Sequence, residues 1–407
     1  MFAKQIPGAF GIDIPLVDSV GAGRAISPDA LARKARSANT AYFLLLGFVF
    51  GSWVARIPAV QDRLGLSAQQ LGIALLSVSA GAMLAMPLTG WLIHHRGNDS
   101  IMRLAAVILC VTLPLLPLAP VLPLLMLSLF AYGIGFGLLD VSMNTHAVAV
   151  EELYGRPIMS TFHGVFSVGG LLGAGIAGFV AGLGVPPLPH LLAIAAGSLT
   201  VPLFATGWLL AGSRGERSVP IFAVPPPSLL GLGVLSFCVL LSEGAVADWS
   251  AVYLQNTLQS TASIAAAGYA GFSLSMAAMR FGGDWLTGRI GPVKMVLLGG
   301  VLAGAGLGLA LALGGIPAAV FGFACVGAGL AAGFPLALGA AGRTPGLASG
   351  TAIGAVSTAG YTGFLVGAPL IGFLAERAGL RLALALVVVL CLVSAALAGS
   401  VRRETNR

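Results

Sequence analysis

Between residues 39 and 400 the chain alternates long apolar runs with short polar or proline-rich breaks. A helix needs about 20 apolar residues to cross a bilayer. On that measure the pattern predicts twelve spans, at 39–57, 70–93, 101–119, 122–149, 158–184, 189–211, 229–254, 263–287, 292–313, 316–340, 347–374 and 380–400. The charge-free stretch from Leu104 to Leu139 is too long for one crossing, and Pro117, Pro120 and Pro123 divide it into a hairpin. Pro186, Pro187 and Pro189 do the same after the fifth span. The predicted class is an all-α membrane protein.

One polar, proline-rich segment, SRGERSVPIFAVPPPS (213–228), divides the spans six and six. The expected organisation is therefore a tail (1–38), a six-helix bundle (39–212), a linker (213–228), a second six-helix bundle (229–400) and a short C-terminal tail (401–407). The two bundles echo each other. DRLGLSAQQLG (62–72) and NTLQSTASIAAAG (256–268) each follow a span carrying a tryptophan, Trp53 or Trp249. Gly164, Ser167, Gly170 and Gly173 of the fifth span recur in register as Gly354, Ser357, Gly360 and Gly363 of the eleventh. Parallel six-helix halves are a transporter architecture.

Composition sharpens this picture. The chain is 57% hydrophobic and 9% charged, with mean hydropathy +0.97; soluble domains carry about 25% charged residues. The net charge of +7 does not point to nucleic acid, because the basic residues are scattered between apolar spans with no aromatic-interleaved patch. With the N-terminus inside, the inner segments hold 17 Lys and Arg, and the outer ones hold Arg56, Arg63, Arg377 and Arg381. The positive-inside rule then makes both termini cytoplasmic. No short apolar core with a small-residue cleavage site precedes residue 39, so a cytoplasmic tail rather than a signal peptide is expected. Cys110, Cys238, Cys325 and Cys391 fall inside apolar spans and read as packing residues.

Against this apolar background, single polar residues stand out. Asp140 and Asn144 lie four apart in the fourth span, on one helix face. An ionised carboxylate at that depth is costly, so taking up and releasing a proton is the chemistry expected of Asp140. Glu243, near the middle of the seventh span, is the second proton-coupling candidate or an acceptor for a substrate hydroxyl. Asn144, His163, Trp249, Asn256 and Tyr361 are candidates to line a polar cavity with aromatic walls. Trp249 as an outer-end anchor and Tyr361 as a packing residue are the plainer alternatives. His146 is expected to pack away from that face, the glycine ladder to bring helices together, and Pro335 to kink the tenth span. The five histidines have no metal spacing, and no glycine-rich phosphate loop with its lysine is present, so neither an enzyme nor ATP drive is expected. No metal or cofactor is expected beyond the proton as coupling ion.

GIGFGLLDVSMN, MSTFHGVFSVGGLLGAG and RFGGDWLTGRIGP (280–292) resemble the fourth helix, the fifth helix and the loop after the eighth helix of the major facilitator superfamily. The branch most resembled contains bacterial fucose permease. The resemblance covers about residues 40–400 and implies two pseudo-symmetric six-helix bundles around one site. It puts Asp140 at the position of a proton-linked glutamate, Asn144 at that of a sugar-contacting asparagine, and His163 where Asn or Gln is frequent. Two departures matter. His94 replaces an acid in the loop after the second span, and FVFGSWVARIP has no acid where fucose permease places its second carboxylate. The resemblance also implies two gating pairs: Arg56 with Asp248 at the outer ends of the first spans of the halves, and Arg156 with Asp284 on the inner side.

The expected function is proton-coupled uptake of a small hydroxylated solute, sugar- or polyol-like, by alternating access. The alternatives are proton-driven efflux of a drug or metabolite and, more remotely, a non-transporting sensor or scaffold. The expected partners are that solute and the lipid bilayer, with no nucleic acid and no second subunit, in a bacterial inner membrane.

Overall fold

The computed structural model describes residues 28–210 and 225–402. Twelve of its helices are long and apolar enough to cross a membrane: α1 (Asp29–Leu64), α2 (Ala68–Arg96), α3 (Asn98–Leu118), α4 (Leu122–Tyr154), α5 (Met159–Gly182), α6 (Pro187–Trp208), α7 (Pro227–Thr257), α8 (Ala262–Ile290), α9 (Pro292–Leu313), α10 (Ile316–Ala341), α11 (Ser349–Ala378) and α12 (Leu380–Val401). A helix satisfies its own backbone inside lipid, and no strand occurs among the described residues. The first helix already begins at Pro28, so residues 28–38, expected in the tail, are helical. The rest of that tail and residues 213–224 and 403–407 of the expected linker and C-terminal tail lie outside the described residues.

Local sequence chemistry sets the ends and the breaks. Ser67 caps α2 in a reciprocal box with Gln70, and Thr261 accepts from the Ile264 amide to cap α8 at the matching place in the other half. Proline cannot donate to the preceding turn. Accordingly α1 breaks at Ala55–Arg56 before Pro58, α3 at Leu113–Pro114 before Pro117, α6 at Leu199 before Pro202, and α10 at Ala331–Ala332 before Pro335. Glu151 accepts from the amides of Ile158 and Met159 at 2.6 and 2.8 Å, which caps the start of α5.

The packing has twofold character. In the first half α1 packs on α5, and α4 on α2 and α3; in the second, α7 packs on α11, and α10 on α8 and α9. The halves meet through α5 with α8 and α2 with α11. The most apolar window of α1 is 78% buried and that of α7 72%, against 33% for α6 and 39% for α12, so α1 and α7 are central. The glycine ladder explains the close approach. A Cβ on Gly173 would fall on the Phe48 carbonyl of α1, and one on Gly363 would lie 2.5 Å from the Phe237 carbonyl of α7.

We call the face bearing the start of α1 and the end of α12 the termini face, and the other the far face. On the far face the halves are sealed. A Cβ on Gly72 would lie 2.8 Å from the Ala368 carbonyl, and one on Gly372 would lie 2.6 Å from that of Ala68. Gly178 meets Ala266 and Ser263 in the same way between α5 and α8. Polar bonds rim this seal: Gln255 donates to Asp62 at 2.9 Å, Asn256 to Gln61 at 3.1 Å, and the Gln69 amide to Glu376 at 3.2 Å.

Candidate transport site

The site lies at mid-membrane, beneath the far-face seal. Asn144 on α4 donates its side-chain amide to the Asp140 carbonyl at 2.8 Å and to Asp140 Oδ1 at 3.1 Å. Across the halves, the Tyr361 hydroxyl on α11 donates to Asp140 Oδ2 at 3.4 Å. One carboxylate is thus held from both bundles. Phe334 of α10 packs edge-on to the Tyr361 ring at 6.3 Å. Nearby, Ser79 of α2 donates to the Phe364 carbonyl of α11 at 3.3 Å.

His163 on α5 faces the Phe43 ring edge-on at 5.4 Å. Arg280 on α8 lies near enough to His163, to Glu243 of α7 and to Asp284 for their charges to act on one another. Glu243 Oε1 is enclosed and has no hydrogen-bond partner among the described residues. Asp140, Asn144, His163, Glu243, Arg280 and Tyr361 are all half-buried, neither sealed in the core nor at the surface. An aromatic roof separates them from the far face. Phe50 of α1 packs against Phe136, Phe166 and Tyr269, at 5.5, 6.4 and 5.9 Å between ring centroids. Tyr269 belongs to the second half, so the roof spans both.

Four sequence expectations need correction. Asn256 does not reach the cavity: a π-turn over Tyr253–Thr257 carries it to the far rim, where it bonds Gln61 and Asp62. Trp249 is fully buried and packs on Gly372, so it belongs to the far-face seal. The expected Arg56–Asp248 pair is not formed. The break in α1 turns Arg56, 3% exposed, back into its own half, where it donates to His190 Nδ1 at 3.3 Å and to the Val185 carbonyl at 3.2 Å. Arg63 likewise donates to the Ala119 carbonyl, and Arg381 to those of Leu311 and Ala312. Three of the four far-face arginines, the exceptions to the basic asymmetry, are thus engaged with backbone at helix ends. Arg156 and Asp284 are both exposed on the termini face, and neither is paired among the described residues. No hydrogen bond among the described residues joins the halves at that level.

Arg280 is the residue that sequence reasoning misplaced. Counted with the inner loops, it stands ten positions inside the end of α8 at Ile290, about 15 Å deep at 1.5 Å per residue. The roof aromatics were missed outright, because phenylalanines in lipid-length helices give no local signal.

A chain from Yersinia pestis described as an uncharacterized MFS-type transporter is 36% identical over 361 residues, covering 89% of this chain and 94% of its own length. This chain belongs to the major facilitator superfamily. The superfamily's sequence profile itself matches residues 232–407. An uncharacterized transporter from Sinorhizobium fredii is 35% identical and covers 88% of this chain and 95% of its own. Among solved structures, the nucleoside transporter NupG superposes with a TM-score of 0.70 at 14% identity, over 92% of this chain and all of that one. That likeness concerns the fold. As a major facilitator protein, the chain is a multi-pass membrane transporter for a small molecule, not an enzyme.

Proposed function

We propose that this transporter imports a small hydroxylated solute, sugar- or polyol-like, together with protons, by rocking its two halves about the central site. The observation that carries the reading is the Asp140 carboxylate, bonded by Asn144 from one half and by Tyr361 from the other. A proton arriving on Asp140 changes its hydrogen bonding to both bundles at once. That ties protonation to the relative position of the halves, as coupling requires. The hydrogen-bonding groups around it suit hydroxyls better than they suit an apolar drug. Proton and solute also have separate anchors here, Asp140 for the one and the Arg280–Glu243 region for the other, which favours symport over competition.

Orientation rests on the basic residues. With Arg280 removed from the loop count, the termini face holds 10 Lys and Arg among the described residues, against 4 on the far face. The termini face is then cytoplasmic, in a bacterial inner membrane, and the cavity opens inward. Both bundles of the site lie in one chain, so a monomer suffices. The test is Asp140→Asn in proteoliposomes. This variant, a mimic of the protonated acid, should lose proton-driven accumulation while keeping counterflow exchange. Full accumulation by it would refute the coupling role.

A further inference from the structure

Arg280 takes no part in proton coupling, and in the reading above its region is on the side of the solute. The residue is half-buried ten positions inside the end of α8, a costly depth for a cation. Glu243 faces it from the neighbouring helix, near enough for the charges to interact. Yet the two make no ion pair, and neither has a hydrogen-bond partner among the described residues. Both belong to the second half, so a direct pair between them could not gate the halves against each other. Glu243 Oε1 is an enclosed acceptor without such a partner, and Arg280 is a half-buried donor without one, with Asp284 one turn along α8 and His163 of the first half near enough to feel its charge.

We propose that Arg280 and Glu243 bind a hydroxylated solute that also carries a carboxylate, such as a sugar acid, with its carboxylate on the Arg280 guanidinium and a hydroxyl on Glu243. This rests on the transport reading above and narrows its substrate class. The planar guanidinium presents paired N–H groups that match a carboxylate, which an ammonium group does not. A sugar hydroxyl can donate to the enclosed Glu243 oxygen. His163, reaching in from α5, lets the bound solute touch both halves. The coupling follows from charge. A proton taken up on Asp140 removes a negative charge that an incoming carboxylate would meet, so anion and proton favour each other's binding.

The experiment measures binding and thermal stabilisation of the whole protein in nanodiscs. The probes are galacturonate and gluconate, their neutral counterparts galactose and sorbitol, and cationic glucosamine. Wild type should bind the acids about tenfold or more tightly than the neutral counterparts. Arg280→Gln should erase that preference, Arg280→Lys should keep part of it, and Asp140→Asn should keep it. Equal binding of galacturonate and galactose by wild type would overturn the proposal while leaving hydroxylated-solute transport standing, as would preferential binding of glucosamine. A preference that survives Arg280→Gln would also overturn it. Binding of none of these probes would overturn both readings. If Arg280→Gln fails to fold, the wild-type preference and the Arg280→Lys variant decide.

Discussion

At the far face, α2 and α11 touch backbone to backbone through Gly72 and Gly372, α5 and α8 touch through Gly178, and Trp249 fills the space behind. At the termini face the contact between α5 and α8 is made by a side chain. Phe281 lies against Gly164, while Arg156 and Asp284 stand exposed and unpaired among the described residues. One end of the pathway is closed by shape and the other is equipped with charge. Close packing is short-ranged and tolerates no added volume, whereas exposed charges act weakly over longer distances and are screened. The far-face seal should therefore set which state the molecule rests in, and the termini face should only trim the balance.

The largest effect is expected from filling the seal. In Gly372→Leu, the Cβ alone would lie 2.6 Å from the Ala68 carbonyl and 3.1 Å from the Gly72 Cα. Overpacking costs about 1–3 kcal/mol, which would shift the equilibrium about 5–150-fold toward a state with the far face open. Spin labels at the exposed positions Gln70 and Arg377 should move apart, and transport should fall accordingly. Gly197, where an added Cβ would meet nothing within 4 Å, is the control, and Gly197→Ala should change neither readout. Labels that stay together in Gly372→Leu would remove the glycine seal as the determinant.

That seal shows what the sequence could and could not reveal. Helix positions were legible, since apolar length and prolines act locally: the ninth span, predicted at 292–313, is Pro292–Leu313. The Asp140–Asn144 bond was legible too, being one helical turn long. Partners that fold-level geometry brings together were not. Arg56 meets His190 across 134 residues, and no local pattern announces it. Trp249 and Asn256 lie toward the far end of α7, and that height, which no local pattern gives, makes one a seal residue and the other a rim residue. Arg280 was misjudged because a loop resemblance outweighed length. The helix in fact runs ten residues past Arg280, to Ile290, so the arginine lies within α8 and not in the loop after it.

A middling effect is expected at the polar rim of the seal. Asp62 accepts from both Gln255 and Asn256. Exposed hydrogen bonds contribute at the low end of about 0.5–1.5 kcal/mol each, so losing both in Asp62→Ala should shift the same label populations by about five- to tenfold, in the direction of Gly372→Leu. Adding Gln255→Ala to Asp62→Ala should change little more, because the two share one bond. Additive effects would mean that Gln255 holds the rim through a contact other than Asp62.

The smallest effect belongs to the termini face, and it sharpens the comparison most. If charge closes that end, Arg156 and Asp284 should pair when the far face is open and part when it is sealed. Cysteines at these two exposed positions should then crosslink poorly in the otherwise native chain and readily when Gly372→Leu is added. An exposed pair contributes about 0–1 kcal/mol, so Asp284→Asn alone should move the population of the two states by no more than about fivefold, and less at high salt. The two readouts separate the roles. Crosslinking that rises with Gly372→Leu ties the pair to closure of the termini face, and a small Asp284→Asn effect says that this closure follows the far-face seal. Equal crosslinking in both backgrounds would leave Arg156 and Asp284 as solvated surface charge, and closure at that end would then fall to Phe281 against Gly164.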